Sequence, residues 1–123
     1  MNEDRHTNNI AVIYNEKTQK YELSPFFDQG LCMFADINQD YPIDQSLEYC
    51  LEKIEAKPFS ADFDIQLDAA EELYGIQIGF QFTSKDIQIY LQKNSENYPR
   101  EVIRRVEQLL RRQMRKYGYL MKK

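Results

Sequence analysis

The chain has 123 residues, 42% of them hydrophobic, 29% charged and 13% aromatic, with four Gly and four Pro. That length fits one globular domain, and collagen-like, low-complexity and disordered chains are excluded, since they need far more Gly and Pro or far fewer apolar residues. No apolar run nears the roughly 18 residues that could span a bilayer, and the opening MNEDRHTNN is polar where a secretory signal is apolar, so a cytoplasmic protein without membrane contact is expected.

Charge is unevenly placed. Residues 100–123 carry nine Lys/Arg against Glu101 and Glu107, a surplus of +7, while residues 1–99 carry seven basic and eighteen acidic residues, −11, which recovers the net −4. A basic tail on an acidic body can mean nucleic-acid contact. Without Gly/Arg repeats or a nucleic-acid module, the expected reading is a tail helix that packs on its own acidic body and turns its charges to water.

In chain order, Ile10–Tyr14 and Tyr21–Leu23 are β-branched or aromatic runs around the polar NEKTQK, which predicts a hairpin with Tyr14 and Tyr21 as a cross-strand pair. Ser24-Pro25 stops the second strand. The following stretch reads as a loop with a short element around Leu31–Phe34. Leu47, Cys50, Leu51 and Ile54 fall at helical spacing within Gln45–Ala56, ahead of Pro58. Ser60 is expected to cap a helix to about Tyr74, with Phe63, Leu67, Ala70, Leu73 and Tyr74 as its buried stripe and Gly75 as its stop.

IQIGFQF, residues 76–82, alternates as a strand does. Ser84 is expected to cap a helix to about Lys93, and Pro99 to open the last and longest helix. There Val102, Val106, Leu109, Leu110, Met114 and Tyr117 mark an apolar face, with arginines on the other sides. Cys32 and Cys50 lack metal-ligand or disulfide-framework spacing and read as small buried hydrophobes. The predicted class is α+β, mainly α: one domain, with loops and hairpin in residues 1–30 and a helical body in 45–123.

The first thirty residues carry the chemistry. Asp4-Arg5-His6-Thr7-Asn8-Asn9 sets an Asp five positions before an Asn, directly ahead of a strand, and Asp28-Gln29-Gly30 follows the second strand. Phosphoryl transfer by a kinase needs an Asp at the attacking hydroxyl, an Asn on the same loop to hold Mg²⁺, and a second Asp on another loop to bind metal bridging the nucleotide phosphates. A hairpin between the two loops returns them to one edge. Asp4, Asn9 and Asp28 are therefore expected to converge. His6 is expected to shape the loop by hydrogen bonding rather than to transfer protons.

NEDRHTNNIAVI followed by YELSPFFDQG resembles the catalytic and metal-binding segments of the HipA-like serine/threonine kinases, with their N-x-D-x-H-x-x-N loop, hairpin and L-x-P-x-[FY]-D segment. KPFSADFDIQLDAAEELYG and YPREVIRRVEQLLRRQMRKY are similar to the C-terminal helices of small members of that family. The D-R-H-x-x-N order also occurs in phosphatidylinositol-type lipid kinases, whose metal segment usually reads D-F-G; Ser24–Asp28 favours the HipA-like side. The resemblance implies part of a protein-kinase C-lobe, with Asp4 catalytic, Asn9 and Asp28 as Mg²⁺ ligands, and Asn2, Arg5 and His6 supporting the loop. It further implies ATP and Mg²⁺ as cofactors, a protein Ser/Thr as acceptor, and a small DNA-binding antitoxin as partner in some members.

It also places Met1 at a position internal to longer relatives. A Gly-rich loop and a strand Lys with its helix Glu, which position ATP, are not in this sequence. The expectation is weak or absent ATP binding and no activity for this chain without an N-terminal lobe, supplied by the same gene or by a separate chain. The alternative is a non-catalytic interaction module that binds a partner protein or RNA through its helical surface.

Overall fold

The computed structural model describes residues 2–28, 30 and 32–122. The class is α+β, mainly α: one antiparallel hairpin and four α-helices. Strands β1 (Val12–Asn15) and β2 (Lys20–Leu23) pair Val12 with Leu23 and Tyr14 with Tyr21 on one face, and the tyrosine ring centroids lie 4.9 Å apart. The expected hairpin and its aromatic pair are present, with β1 beginning two residues after Ile10.

Helix α1 (Leu47–Lys53) starts where Ser46 Oγ accepts from Tyr49 N at 3.1 Å. It ends before the expected Ala56, because Ala56 N donates to Ala61 O at 2.7 Å and draws that segment into a loop. The same bond holds Ala61 outside the next helix, so α2 (Phe63–Tyr74) is capped by Asp62, whose side chain accepts from Asp64 N, rather than by Ser60. Ser60 Oγ instead accepts from Asp62 N one turn earlier. Gly75 closes α2 at φ 71°, a left-handed conformation that glycine adopts without strain.

Helix α3 (Ser84–Lys93) is capped by Thr83 rather than Ser84. Thr83 N donates to Asp86 Oδ2 at 2.7 Å and Thr83 Oγ1 accepts from Asp86 N at 3.3 Å, a reciprocal box that the sequence T-S-K-D permits only with Thr at the cap. The carboxyl of Asp86 is held below the usual carboxylate range by these bonds from Thr83. Helix α4 (Arg100–Lys116) follows Pro99 and packs against α1 and α3.

Two expectations fail for one physical reason: too little chain is present to cover every apolar face. Residues 76–82 do not form a strand, because a strand needs a partner and only Phe80 finds one. Phe80 N donates to Leu120 O at 2.9 Å and Lys122 N to Phe80 O at 2.8 Å, a single parallel bridge. The buried stripe of α2 reduces to Leu67; Leu73 and Tyr74 are 73% and 72% exposed and Phe63 and Ala70 are exposed as well. The main core is Phe34, Tyr41, Cys50 and Leu109, with Met33, Leu47, Leu51 and Ile54 around it. Cys50 is buried there as expected, whereas Cys32 is only half-buried. The predicted element around Leu31–Phe34 is, over its described residues, an antiparallel bridge between Cys32 and Asn2 followed by a turn at Met33 and Phe34, Leu31 lying outside them.

Arg105 corrects the placement of every arginine away from the apolar face. It is buried and donates to Pro42 O at 2.9 Å, Phe34 O at 3.0 Å and Tyr41 O at 2.8 Å. Phe34 and its neighbour Met33 sit at φ 60° and 55°, a left-handed region that strains bulky side chains by about 1–3 kcal/mol each. The guanidinium ties this strained loop to α4.

Two other basic side chains of α4 meet the acidic body: Arg112 pairs with Glu48 at 2.9 Å and Lys116 with Asp64 at 2.5 Å, while Arg111 pairs within the helix with Glu107 at 2.8 Å. Among the described residues, no helix is long and apolar enough to cross a membrane.

Candidate functional site

The polar loop before β1 is folded onto itself. Asp4 N donates to Asn2 Oδ1 at 3.1 Å, and a 3-10 turn over Thr7–Asn9 buries the Asn9 side chain. Asn9 Nδ2 donates to the Asp4 carbonyl at 2.8 Å and lies 3.2 Å from His6 Nε2. His6 Nε2 also lies 3.8 Å from Asp4 Oδ1, so the ring sits between the Asn9 amide and the Asp4 carboxylate inside the loop. Both contacts of the Asn9 side chain use Nδ2, and Oδ1 has no hydrogen-bond partner among the described residues.

Arg5 joins the two expected loops. Its Nη1 donates to Asn9 O at 2.7 Å and to Phe27 O at 2.9 Å, and its guanidinium carbon lies 5.4 Å from the centroid of the Phe26 ring. The residue before Asp28 and the backbone of Asn9 thus share one cation. Asp28 follows at φ 53°, a left-handed conformation that Asp tolerates better than most residues, and it is exposed. Its carboxylate engages no described residue. Gly30 lies in a turn, and Gln29 is outside the described residues.

Two further contacts reach this loop from the body. Lys57 Nζ lies 3.3 Å from Asp4 Oδ1, and Tyr41 Oη donates to Glu3 Oε2. Burial and the bond to Glu3 push the Tyr41 hydroxyl well above the usual tyrosine range. The sequence flagged neither residue, since both act across long separations and no local motif contains them. Asn2 Nδ2 is buried without a hydrogen-bond partner.

As a donor set, Asn9 Oδ1 and the Asp28 carboxylate are hard oxygen ligands, and neither is committed to a protein partner. Mg²⁺ is commonly bound by one or two carboxylates with substrate phosphates and water completing an octahedron; by chemistry the two groups suit that role, with Asn9 buried and Asp28 exposed and their loops joined through the backbone contacts of Arg5. Among the described residues, no three His, Cys, Asp or Glu side chains gather as a metal cage of the all-protein kind. No protein-family model, curated protein or solved structure matches the chain.

Proposed function

We propose that this chain is the catalytic-loop and Mg²⁺-binding portion of a HipA-like serine/threonine protein kinase, active only with a polypeptide that supplies the nucleotide-covering lobe. One observation carries the reading: the Arg5 side chain bonds the carbonyl of Asn9 and the carbonyl of Phe27, beside Asp28. In this reading Asp4 orients and accepts the proton of the attacking hydroxyl of a protein Ser or Thr. Asn9 and Asp28 hold the metal, which screens the charge on the transferring phosphate. Lys57 lies against the Asp4 carboxylate at 3.3 Å and would help to hold its orientation.

Mn²⁺ titration followed by water-proton relaxation tests it. A weak site in the native chain, lost in Asp28→Ala, is the expected result; Asp28 is exposed and unbonded, so its truncation leaves the fold intact. Superimposable curves for the two proteins sink the proposal.

A second reading, an interaction module without catalysis, is favoured by the unpartnered apolar hairpin, where Val12, Ile13, Tyr21 and Leu23 are all exposed. A partner complex that forms equally well without Asp4 and Asn9 would support it.

A further inference from the structure

A groove of about 1120 Å³ runs between α1, α2, α4 and the extended segment 76–82. Its volume exceeds the roughly 300–1,000 Å³ of small-molecule pockets, which suits a run of side chains better than a metabolite. Neither Asp4, Asn9 nor Asp28 lines it. The walls are apolar and open: Phe63, Ile78, Phe80 and Phe82 line the groove and remain 36–50% exposed, so nothing in the described chain fills it. Ile78, Phe80 and Phe82 project together because an extended chain sends alternate side chains to one side.

The rim decides what fits. Its cations are all committed: Arg112 to Glu48, Lys116 to Asp64, Lys57 to Asp4, and Arg5 to two backbone carbonyls. Two of its acids are not: Glu52, in α1, and Glu55, just beyond it, form no ion pair with a described residue, while Asp62 on the same lip accepts from Asp64 N as the α2 cap. An apolar trough with uncompensated carboxylates along one lip is complementary to a polypeptide segment with an apolar stripe flanked by Lys or Arg. A second copy of this chain fits less well. It brings a further net charge of −4, and its one strongly basic element, α4, already spends its inner face on Arg105 and Leu109.

We propose that this groove is a docking site for a basic amphipathic segment of a partner protein. Occupation covers the apolar wall formed by residues 76–82 and neutralises the α1–α2 lip. The groove reaches the edge of the candidate metal-binding loop at Asn2, Arg5 and Phe26 but includes none of the proposed ligands, and it functions whether or not that loop is catalytic.

The test uses fluorescence anisotropy with the full chain and a labelled helical Leu/Lys peptide of about four turns, Leu at i, i+3, i+4 spacing, beside a Leu/Glu peptide of the same pattern. Saturable binding of the Leu/Lys peptide is expected, weakened by added salt. Glu52→Lys combined with Glu55→Lys should lower affinity at least about tenfold, since these exposed, unpaired carboxylates sit at the lip. Ile78→Asp should abolish binding although it adds negative charge, which separates groove occupation from attraction to an acidic surface. Ile78 lies outside every helix and strand and is 43% exposed, so the variant should keep the native circular dichroism spectrum. If it does not, the Glu52/Glu55 variant decides alone. Asp28→Ala should bind the peptide as the native chain does, so loss of the metal site and loss of the groove are told apart. Equal affinity for the Leu/Glu peptide, undiminished binding by Ile78→Asp, or a native dimer that Ile78→Asp dissociates would each overturn the proposal.

Discussion

Arg105 and Arg5 do similar work in different places. Each spends a guanidinium on backbone carbonyls of loops that have little regular structure of their own, Arg105 on three distant carbonyls and Arg5 on one four residues away and one twenty-two away. For Arg105 the site is buried, so its removal takes the donor from the Phe34 and Tyr41 carbonyls, each costing about 1–3 kcal/mol when desolvated, while Pro42 O keeps its bond from Gln45 N. Arg105→Met should therefore lower stability by about 3 kcal/mol or more, read as a reduced urea midpoint, and Arg105→Lys should recover little, because one ammonium lacks the fork that spans three acceptors. A midpoint shift under about 0.5 kcal/mol equivalent, as for an ordinary surface change, would contradict this.

Arg5 is different in kind. Arg5→Lys should speed amide exchange around Phe26–Asp28 and weaken Mn²⁺ binding while leaving every proposed ligand in place. Native exchange rates in the variant would remove the clamp from the argument. The candidate ligands were legible because their order and offsets form a motif in the sequence. The clamp was not, since a side chain bonded to a carbonyl leaves no mark on the residue that accepts. Arg105 was legible in principle: three residues after Val102 and four before Leu109, it falls in the apolar stripe by spacing alone, and only its charge argued for water.

At the scale of elements, local signals found the helices and the hairpin, with the caps of α2 and α3 displaced by two residues and one, and did poorly where a partner decides. The hairpin, the stop at Gly75 and all four helices follow from nearby residues. Strand 76–82 and the α2 stripe needed a second layer that the described chain does not provide. Ser46 shows how much a cap contributes: Ser46→Ala should cost about 1 kcal/mol, visible as a lower melting temperature, since α1 has only seven residues.

The ends of α2 and α4 are joined by Asp64, Lys116 and Tyr117. Asp64 accepts from Lys116 at 2.5 Å and from Tyr117 Oη at 2.6 Å, which holds its carboxyl below the usual range, while the bond to Asp64 raises Lys116. A lowered folded value means the unfolded chain takes up its proton first as pH falls. This stability is complete above the ordinary carboxylate range, near pH 4, and lost below it. The raised Lys116 acts oppositely, with stability present below about pH 10 and lost above. Both side chains are substantially exposed, so the pair is worth under about 1 kcal/mol. Asp64→Asn should flatten the acid limb of a stability–pH curve below pH 4 without moving its neutral plateau by more than that amount; an unchanged acid limb would assign acid sensitivity to other carboxylates.

On the scale of the whole molecule, surface area ties the proposals together. The folded chain exposes 9649 Å², whereas a self-contained globule of 14.8 kDa exposes about 7,000 Å². The excess, about 2,600 Å², is of the size that obligate interfaces cover, and it is carried by large apolar side chains on the hairpin, on α2 and along 76–82. Against an unfolded chain exposing about 21,000 Å², folding then buries roughly a fifth less surface than is usual for this mass. Heat capacity and denaturant sensitivity both scale with that area. Calorimetric unfolding should give a heat-capacity change about a fifth below the roughly 1.6 kcal/mol/K ordinary for 123 residues, with a urea m-value reduced in proportion. Adding a polypeptide that covers the hairpin or the groove should raise both, because the surface it hides is exposed again on unfolding. Ordinary values for the chain alone would mean that its apolar faces are already covered in solution, leaving neither a missing lobe nor a docking segment with a surface to occupy.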